Sequence, residues 1–559
     1  MDSDKRNLVF AMLASICIFG GYYYFYERPH MERAENTAQK EAPAAEQTMP
    51  SVSLDPISES YETIKTKSKR ITFESNAVTG SLSLKGARID DLFLTHYKES
   101  LKQSSGPVAL LRPKDTASSY YMESGWVSPD KSIAMPGSNT PWKSQSTHLA
   151  SGKKIQLEWR NPQGVLFVRT ISLDDTYLFS VTDKIKNAST TPFQVSPYAL
   201  LTRRTSDETG STSYALHEGA VGYLDGKLKE EKYKDVRSEK TFNYQSKGGW
   251  LGFSDKYWLG ALLPDQNMQI TANYRSVGSE NAPRYQTDFI GGATTLQPGM
   301  STEHTFHFFA GAKSIDILDA YEQKLGVPHF DLAIDFGWFY FITRPLFFVL
   351  KTLNQYFGNF ALAIVVLTLL IRGLLFPLAS KSYRSMAKMK ELTPELNRIK
   401  ESTEGDNMRR NQEMMSLYKK HKVNPVSGCL PMFLQIPVLF AIYKVLLINI
   451  DMRHAPLFGW IKDMSAPDPT TFFNLFGLIP WAPPSFLMIG GLPILMGFTM
   501  YLQQKLSPQP MDEMQSKMFL ILPFLFTYML AQFPAGVVFY WTLTNLLAIA
   551  QQWALTRKK

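Results

Sequence analysis

VVLTLLIRGLLFPLAS, residues 365–380, decides the fold. It continues an apolar run that begins at Phe360, and Phe360 to Leu378 together are long enough to cross a bilayer. One charge interrupts the run, Arg372, about twelve residues in. At ~1.5 Å per residue the arginine sits about 18 Å from the outer end and about 9 Å from the inner end. A guanidinium at that depth costs roughly 2.5–3.5 kcal/mol on insertion scales and cannot escape by losing its proton. It must face water or a counter-charge.

No Asp or Glu occurs in this segment or in the four that follow it, Gly428 to Ile450, Phe486 to Leu502, Met518 to Phe533 and Val537 to Trp553. Water is the remaining solution. Polar side chains in the same segments, Thr368, Gln435, Thr527, Gln532, Thr542, Thr544 and Asn545, are candidates to line a hydrated groove. The competing readings are that Arg372 snorkels to lipid phosphate and that single Thr or Asn side chains bond helix to helix. Lys444 is a second intramembrane charge, near the outer end of its span. Asp451 lies seven residues on at a similar face, so its stem is expected to reach the outer interface.

An earlier apolar run, Leu8 to Phe25, follows Lys5-Arg6 and ends in Tyr22-Tyr23-Tyr24-Phe25-Tyr26, an aromatic belt rather than a cleavage site. It reads as an anchor, residues 1–26, and makes six spans in all; a signal peptide is the other reading. The positive-inside rule then orients the chain. Lys5, Arg6, Lys505, Lys517 and the tail Arg557-Lys558-Lys559 fall on one side with the segment at 380–424. The 451–484 loop has only Arg453 and Lys462 against three aspartates. Both termini are therefore expected in the cytoplasm.

Residues 27–55, centred on ERAENTAQKEAPAAEQ, lack aromatics and read as a tether. Residues 56–327 are different again: short alternating segments such as Arg70 to Phe73, Val165 to Ser172 and Tyr177 to Ile185 are separated by Gly, Asn and Asp turns. In the last, Phe179, Val181, Asp183 and Ile185 alternate with Leu178, Ser180, Thr182 and Lys184, the pattern of a half-exposed strand. The expected fold is thus an α-helical membrane protein, five of its six spans forming a C-terminal bundle, with a large periplasmic all-β sandwich. A short helix is expected near Ser314 to Lys324. Residues 328–350 are too polar to span and too aromatic for a loop; they read as an interfacial amphipathic helix or as a broken first half of the next span. The spans are placed at 359–379, 427–450, 485–504, 518–533 and 536–555, ahead of a basic tail at 556–559. The mean hydropathy of −0.16 averages two opposite halves. The two cysteines, Cys17 and Cys429, lie in apolar segments, so the β region is held by packing alone.

The net charge of +9 invites a nucleic-acid reading, but its location argues against one. Between Ser380 and Lys422 eleven basic residues face six acidic ones, in what reads as a helical hairpin. Thr393-Pro394 is expected to cap its first helix, Ser402 to Asn407 to turn, and Met408 to His421 to return. Arg384, Lys388, Arg398, Arg409, Arg410, Lys419 and Lys420 offer a surface for anionic lipids or for substrate, ribosome or targeting factors. No P-loop, H-E-x-x-H or G-x-S-x-G pattern occurs, so no nucleotide engine, metal, cofactor or catalytic residue is expected.

Four long motifs in order, IRGLLFPL with SYRSMAKMKELTPEL, VNPVSGCLPMFLQIPVLFAIY (423–443), RHAPLFGWIKDMSAPDP and FPAGVVFYWTLTN, resemble the signatures of the YidC family of Gram-negative bacteria, relatives of mitochondrial Oxa-type insertases. The resemblance implies an inner-membrane insertase and chaperone for nascent membrane proteins, a monomeric unit acting alone or beside the Sec translocon. It implies a groove closed to the periplasm and open to cytoplasm and lipid, whose arginine receives the acidic part of a substrate. Arg372 matches that arginine, and Thr368, Gln435, Tyr540, Trp541 and Asn545 match groove positions; at Trp541 relatives often carry tyrosine. A secondary transporter is the main competitor, but no inverted repeat relates the halves of the bundle. An envelope scaffold built on the β domain is a third reading.

Overall fold

The structure, a computed structural model, describes residues 60–205, 216–278, 283–403, 406–421, 430–481, 483–506 and 513–556. The expected anchor and tether, both cysteines and the basic tail beyond Thr556 lie outside the described residues. The chain divides into two compact units: Gln47–Phe347 with Ala441–Ala455, and Phe348–Phe440 with Pro456–Lys559 and the N-terminal residues.

The first unit is a β-sandwich of an eleven-stranded and an eight-stranded sheet. Its logic is visible in Leu178–Lys186, where Phe179, Val181, Asp183 and Ile185 turn inward while Ser180, Thr182 and Lys184 face outward. That strand pairs antiparallel with Leu166–Leu173 on one side and Ser301–Ala312 on the other. Aromatic rings fill the space between the sheets, with Phe73 edge-on to Phe179 at 5.1 Å and Phe289 edge-on to Phe306 at 6.0 Å. The inward Asp183 does not violate the pattern. Arg169 donates to it through Nε at 2.6 Å and Nη2 at 3.0 Å, and spends its remaining donors on the carbonyls of Ala87 and Ser124. The guanidinium also lies over the Trp142 ring.

Among the described residues three short helices accompany the sheets: α1 (Tyr61–Thr66), α2 (Tyr233–Glu239) and α3 (Ile315–Leu325). Residues 328–350 differ from expectation. A 3-10 turn, Phe330–Ala333, is followed by extended chain, and α4 begins only at Tyr340 and runs to Phe357. Gly337, at φ +72°, is left-handed backbone that an α-helix cannot contain.

The second unit is helical. α5 (Phe360–Glu391) is continuous through the expected cytoplasmic boundary, with Pro377 inside it. α6 (Thr393–Ser402) and α7 (Asn407–Lys420) make the hairpin, held by Met389, Leu392, Leu396, Leu417 and Tyr418. Thr393 is not the cap: Leu392 occupies that position without a side-chain bond, because Thr393 has already entered the helix. Asp406 caps α7, accepting from the amides of Met408 and Arg409 at 3.1 and 3.0 Å. α8 (Leu430–Ile448), α9 (Gly491–Leu506), α10 (Glu513–Leu530) and α11 (Ala535–Thr556) follow. α8 passes from the helical unit into the first unit between Phe440 and Ala441. α9 starts later than the expected span because Ser485–Leu487 forms a separate 3-10 turn. By length and composition Phe360–Met389 qualifies as a membrane span, and Gln435–Ile448 and Leu520–Leu530 are apolar but shorter.

Candidate functional site

Arg372 lies on α5 facing α11, half-buried, and its Nη2 donates to the Thr544 carbonyl at 2.9 Å. Tyr383, eleven residues further along α5, interacts with the same guanidinium through its hydroxyl, and Tyr540 on α11 is close enough to feel its charge. These are neutral partners; among the described residues no carboxylate pairs with Arg372. The next residue along the helix, Gly373, is exposed. Pro377 has no N–H to offer the Gly373 carbonyl, and a Cβ on Gly373 would meet nothing within 4 Å.

The other sequence candidates divide by what they touch. Thr368 is buried on α5 with its hydroxyl bonded back to the Ile364 carbonyl at 2.6 Å. Thr542 does the same to Val538 on α11, and Thr527 to Pro523 on α10. Thr527 also marks a close helix contact: a Cβ on Gly497 of α9 would come within 1.9 Å of its hydroxyl. Asn545 donates to the Thr499 hydroxyl of α9 at 3.2 Å. Thr527 and Asn545 therefore join helices. Tyr540 is buried, and Trp541 packs against Phe526 of α10 at 5.6 Å. Gln435 is half-buried on α8, and Gln532 is exposed just past α10. Tyr528 is exposed on α10.

On the hairpin Arg384, Lys388, Arg398, Arg409, Lys419 and Lys420 are exposed and Arg410 is half-buried. Arg409 is partly occupied by Glu413 one turn on, at 2.9 Å. The hairpin core lies on the apolar side, so these cations are displayed rather than folded in.

Lys444, read from the sequence as reaching the outer interface, has a specific partner. Its ammonium pairs with Asp335 at 2.7 Å. Sequence reading also missed Asp468, a buried carboxylate that organises the loop before α9. It accepts from Trp460 Nε1, from the Thr470 amide and hydroxyl, and from the Leu492 amide in the first turn of α9. The signal was available: an Asp-Pro-Thr turn ahead of a helix beginning Gly490-Gly491. Tyr383 was legible too, since residues eleven apart on a helix share a face.

The profile of the YidC periplasmic domain matches residues 70–349, and that described as 60Kd inner membrane protein matches residues 352–559. The chain is 43% identical over 560 residues to the membrane protein insertase YidC of Rickettsia rickettsii (strain Iowa), covering all of both chains. It is equally 43% identical, over 567 residues and again all of both chains, to that of Rickettsia prowazekii (strain Madrid E). A crystal structure of an active YidC insertase with its first transmembrane domain resolved is 17% identical, covering 89% of this chain and 94% of its own, at a TM-score of 0.36.

Proposed function

Since the chain belongs to the YidC family of membrane protein insertases, with a large periplasmic β-sandwich and a C-terminal helical region, we propose that its helical unit inserts clients through a wet, cationic groove centred on Arg372. Its clients are nascent membrane proteins. The observation that carries the groove is Arg372 itself: a permanent charge on an apolar helix, held by the Thr544 carbonyl and the Tyr383 hydroxyl, with no carboxylate partner among the described residues.

Partial solvation is the mechanism. A hydrophilic tail leaving water gives up its hydrogen bonds at a cost of several kcal/mol per group in hydrocarbon. A recess that replaces half the bilayer lets the tail surrender fewer of them at once. Acidic groups on the tail gain attraction to Arg372, whose neutral partners leave its charge uncompensated. The apolar part of the client then slides into lipid between α8 and α10, past Gln435, Tyr528 and Trp541. Apolar burial and the membrane potential supply the driving force. Thr368, Thr527, Gln532, Tyr540 and Asn545 complete the groove wall, those that join helices setting its width.

The chain spans the inner membrane six times with both termini in the cytoplasm, the anchor at 1–26 being the first span. The exposed cations of the hairpin dock anionic lipid and present the site to ribosome, targeting factors or the Sec translocon. One copy of the chain is the working unit.

The test is reconstitution. Purified protein in liposomes inserts a small two-span protein without ATP, and the client photocrosslinks to probes at Gln435, Tyr528 and Trp541. Arg372→Glu lowers insertion of clients with acidic tails and spares those with neutral tails. Unchanged insertion of every client would remove Arg372 from the mechanism.

A further inference from the structure

Lys444 is a charge on a helix that otherwise carries only Gln435 and Tyr443 as polar side chains. A lysine that merely snorkels needs no built partner. This one has a site drawn from three separate stretches of chain. The Lys444 ammonium donates to Asp335 Oδ2 at 2.7 Å, and the two side chains are only 16% and 21% exposed. Asp335 is itself fixed by backbone: Oδ2 also accepts from the His217 amide and Oδ1 from the Gly337 amide, both at 3.0 Å. The lysine stem lies against Gly337, where a Cβ would come within 2.9 Å of Lys444 Cε. His217 is anchored in turn through Nε2 to the Ala220 carbonyl at 2.9 Å. Glu230 and Lys313 lie close enough to feel the Asp335 charge, but the one direct ion pair of that carboxylate among the described residues is Lys444.

We propose that Lys444, Asp335 and Gly337 form a positioning lock that fixes the depth and rotation of the outer turns of α8 for insertion. An apolar helix in lipid has little to define its rotation or register, and a partly buried ion pair supplies that specificity rather than bulk stability. The lock acts on one part of the helix. Pro437 lies seven residues inward of Lys444 and interrupts the backbone ladder, and α8 leaves the first unit between Ala441 and Phe440. The outer turns are therefore pinned beside Asp335, while the turns carrying Gln435 hinge at the proline. This inference rests on the groove reading, because it gives Lys444 its role through Gln435.

Charge exchange in the full-length protein tests it. Lys444→Glu and Asp335→Lys each put like charges together, and each lowers client insertion and photocrosslinking from Gln435 by about tenfold. The double exchange raises both at least about threefold above either single reversal, as a coupled pair requires, and stays short of the parent because a lysine at 335 cannot accept the His217 and Gly337 amides. Gly337→Ala, which strains the left-handed backbone and displaces the lysine stem, gives a partial loss with the same shift in crosslinking. All variants are compared at equal protein level and equal protease resistance, so that misfolding is read separately. Failure of the double exchange to recover insertion, or full activity in both single reversals, overturns the lock. If Arg372→Glu is silent while the exchange series behaves as stated, the groove reading fails and the lock stands.

Discussion

Two arginines show how differently the two units treat the same side chain. In the β-sandwich Arg169 is enclosed, 1% exposed, with a carboxylate, two carbonyls and an indole ring absorbing its charge. In the helical unit Arg372 is half-buried, and its partners among the described residues are neutral. The first arrangement closes a core; the second leaves the guanidinium without a carboxylate partner among the described residues. A buried ion is thus not informative by itself, and its unused bonding capacity is what separates structure from function.

The comparison breaks first at Arg169. Arg169→Ala strands Asp183 between the sheets and is expected to destabilise the sandwich by about 3–5 kcal/mol, read as faster proteolysis and amide exchange in the β region of the full-length protein. Insertion should fall less than this stability. Acid challenges the same unit. Burial holds the His217 imidazole down to about 4, while the hydrogen bond to Ala220 and the charge of Asp335 pull the other way. The unfolded chain protonates this group near its ordinary value, so stability is whole above that value and is lost as pH falls toward 4. The expected loss is about 3 kcal/mol by amide exchange across that window, and His217→Gln should flatten the dependence.

Arg372→Glu is the complementary change: about tenfold less insertion of acidic-tailed clients, near 1.4 kcal/mol, with amide exchange of the helical unit unchanged. A loss of folding there would make Arg372 resemble Arg169 and would erase the contrast. The smallest effect belongs to the hairpin cap. Asp406→Ala removes two amide acceptors from α7 and should cost about 1 kcal/mol of local stability, seen as exchange confined to residues 407–411.

Much of this was readable in one dimension because the physics is local. Alternation marked Leu178–Lys186 as a strand, since side chains on extended backbone point to opposite faces. Apolar length marked α5, and the absence of carboxylates from the spans already implied that Arg372 would lack an acidic partner there. The start of α4 was misjudged because aromatic content suggested a helix while a single glycine at positive φ prevents one before Tyr340.

By itself the sequence determined which segments are apolar, which are basic, and that a cation interrupts the apolar run of α5, because hydropathy and charge belong to residues and need no neighbours. Only the tertiary structure decided what each polar group meets. Asp335 and Lys444 are 109 positions apart, Arg169 and Ser124 are 45, and Asn545 and Thr499 are 46. Hydrogen bonds and ion pairs act over a few ångströms, and chain folding, not spacing along the chain, sets which atoms come that close.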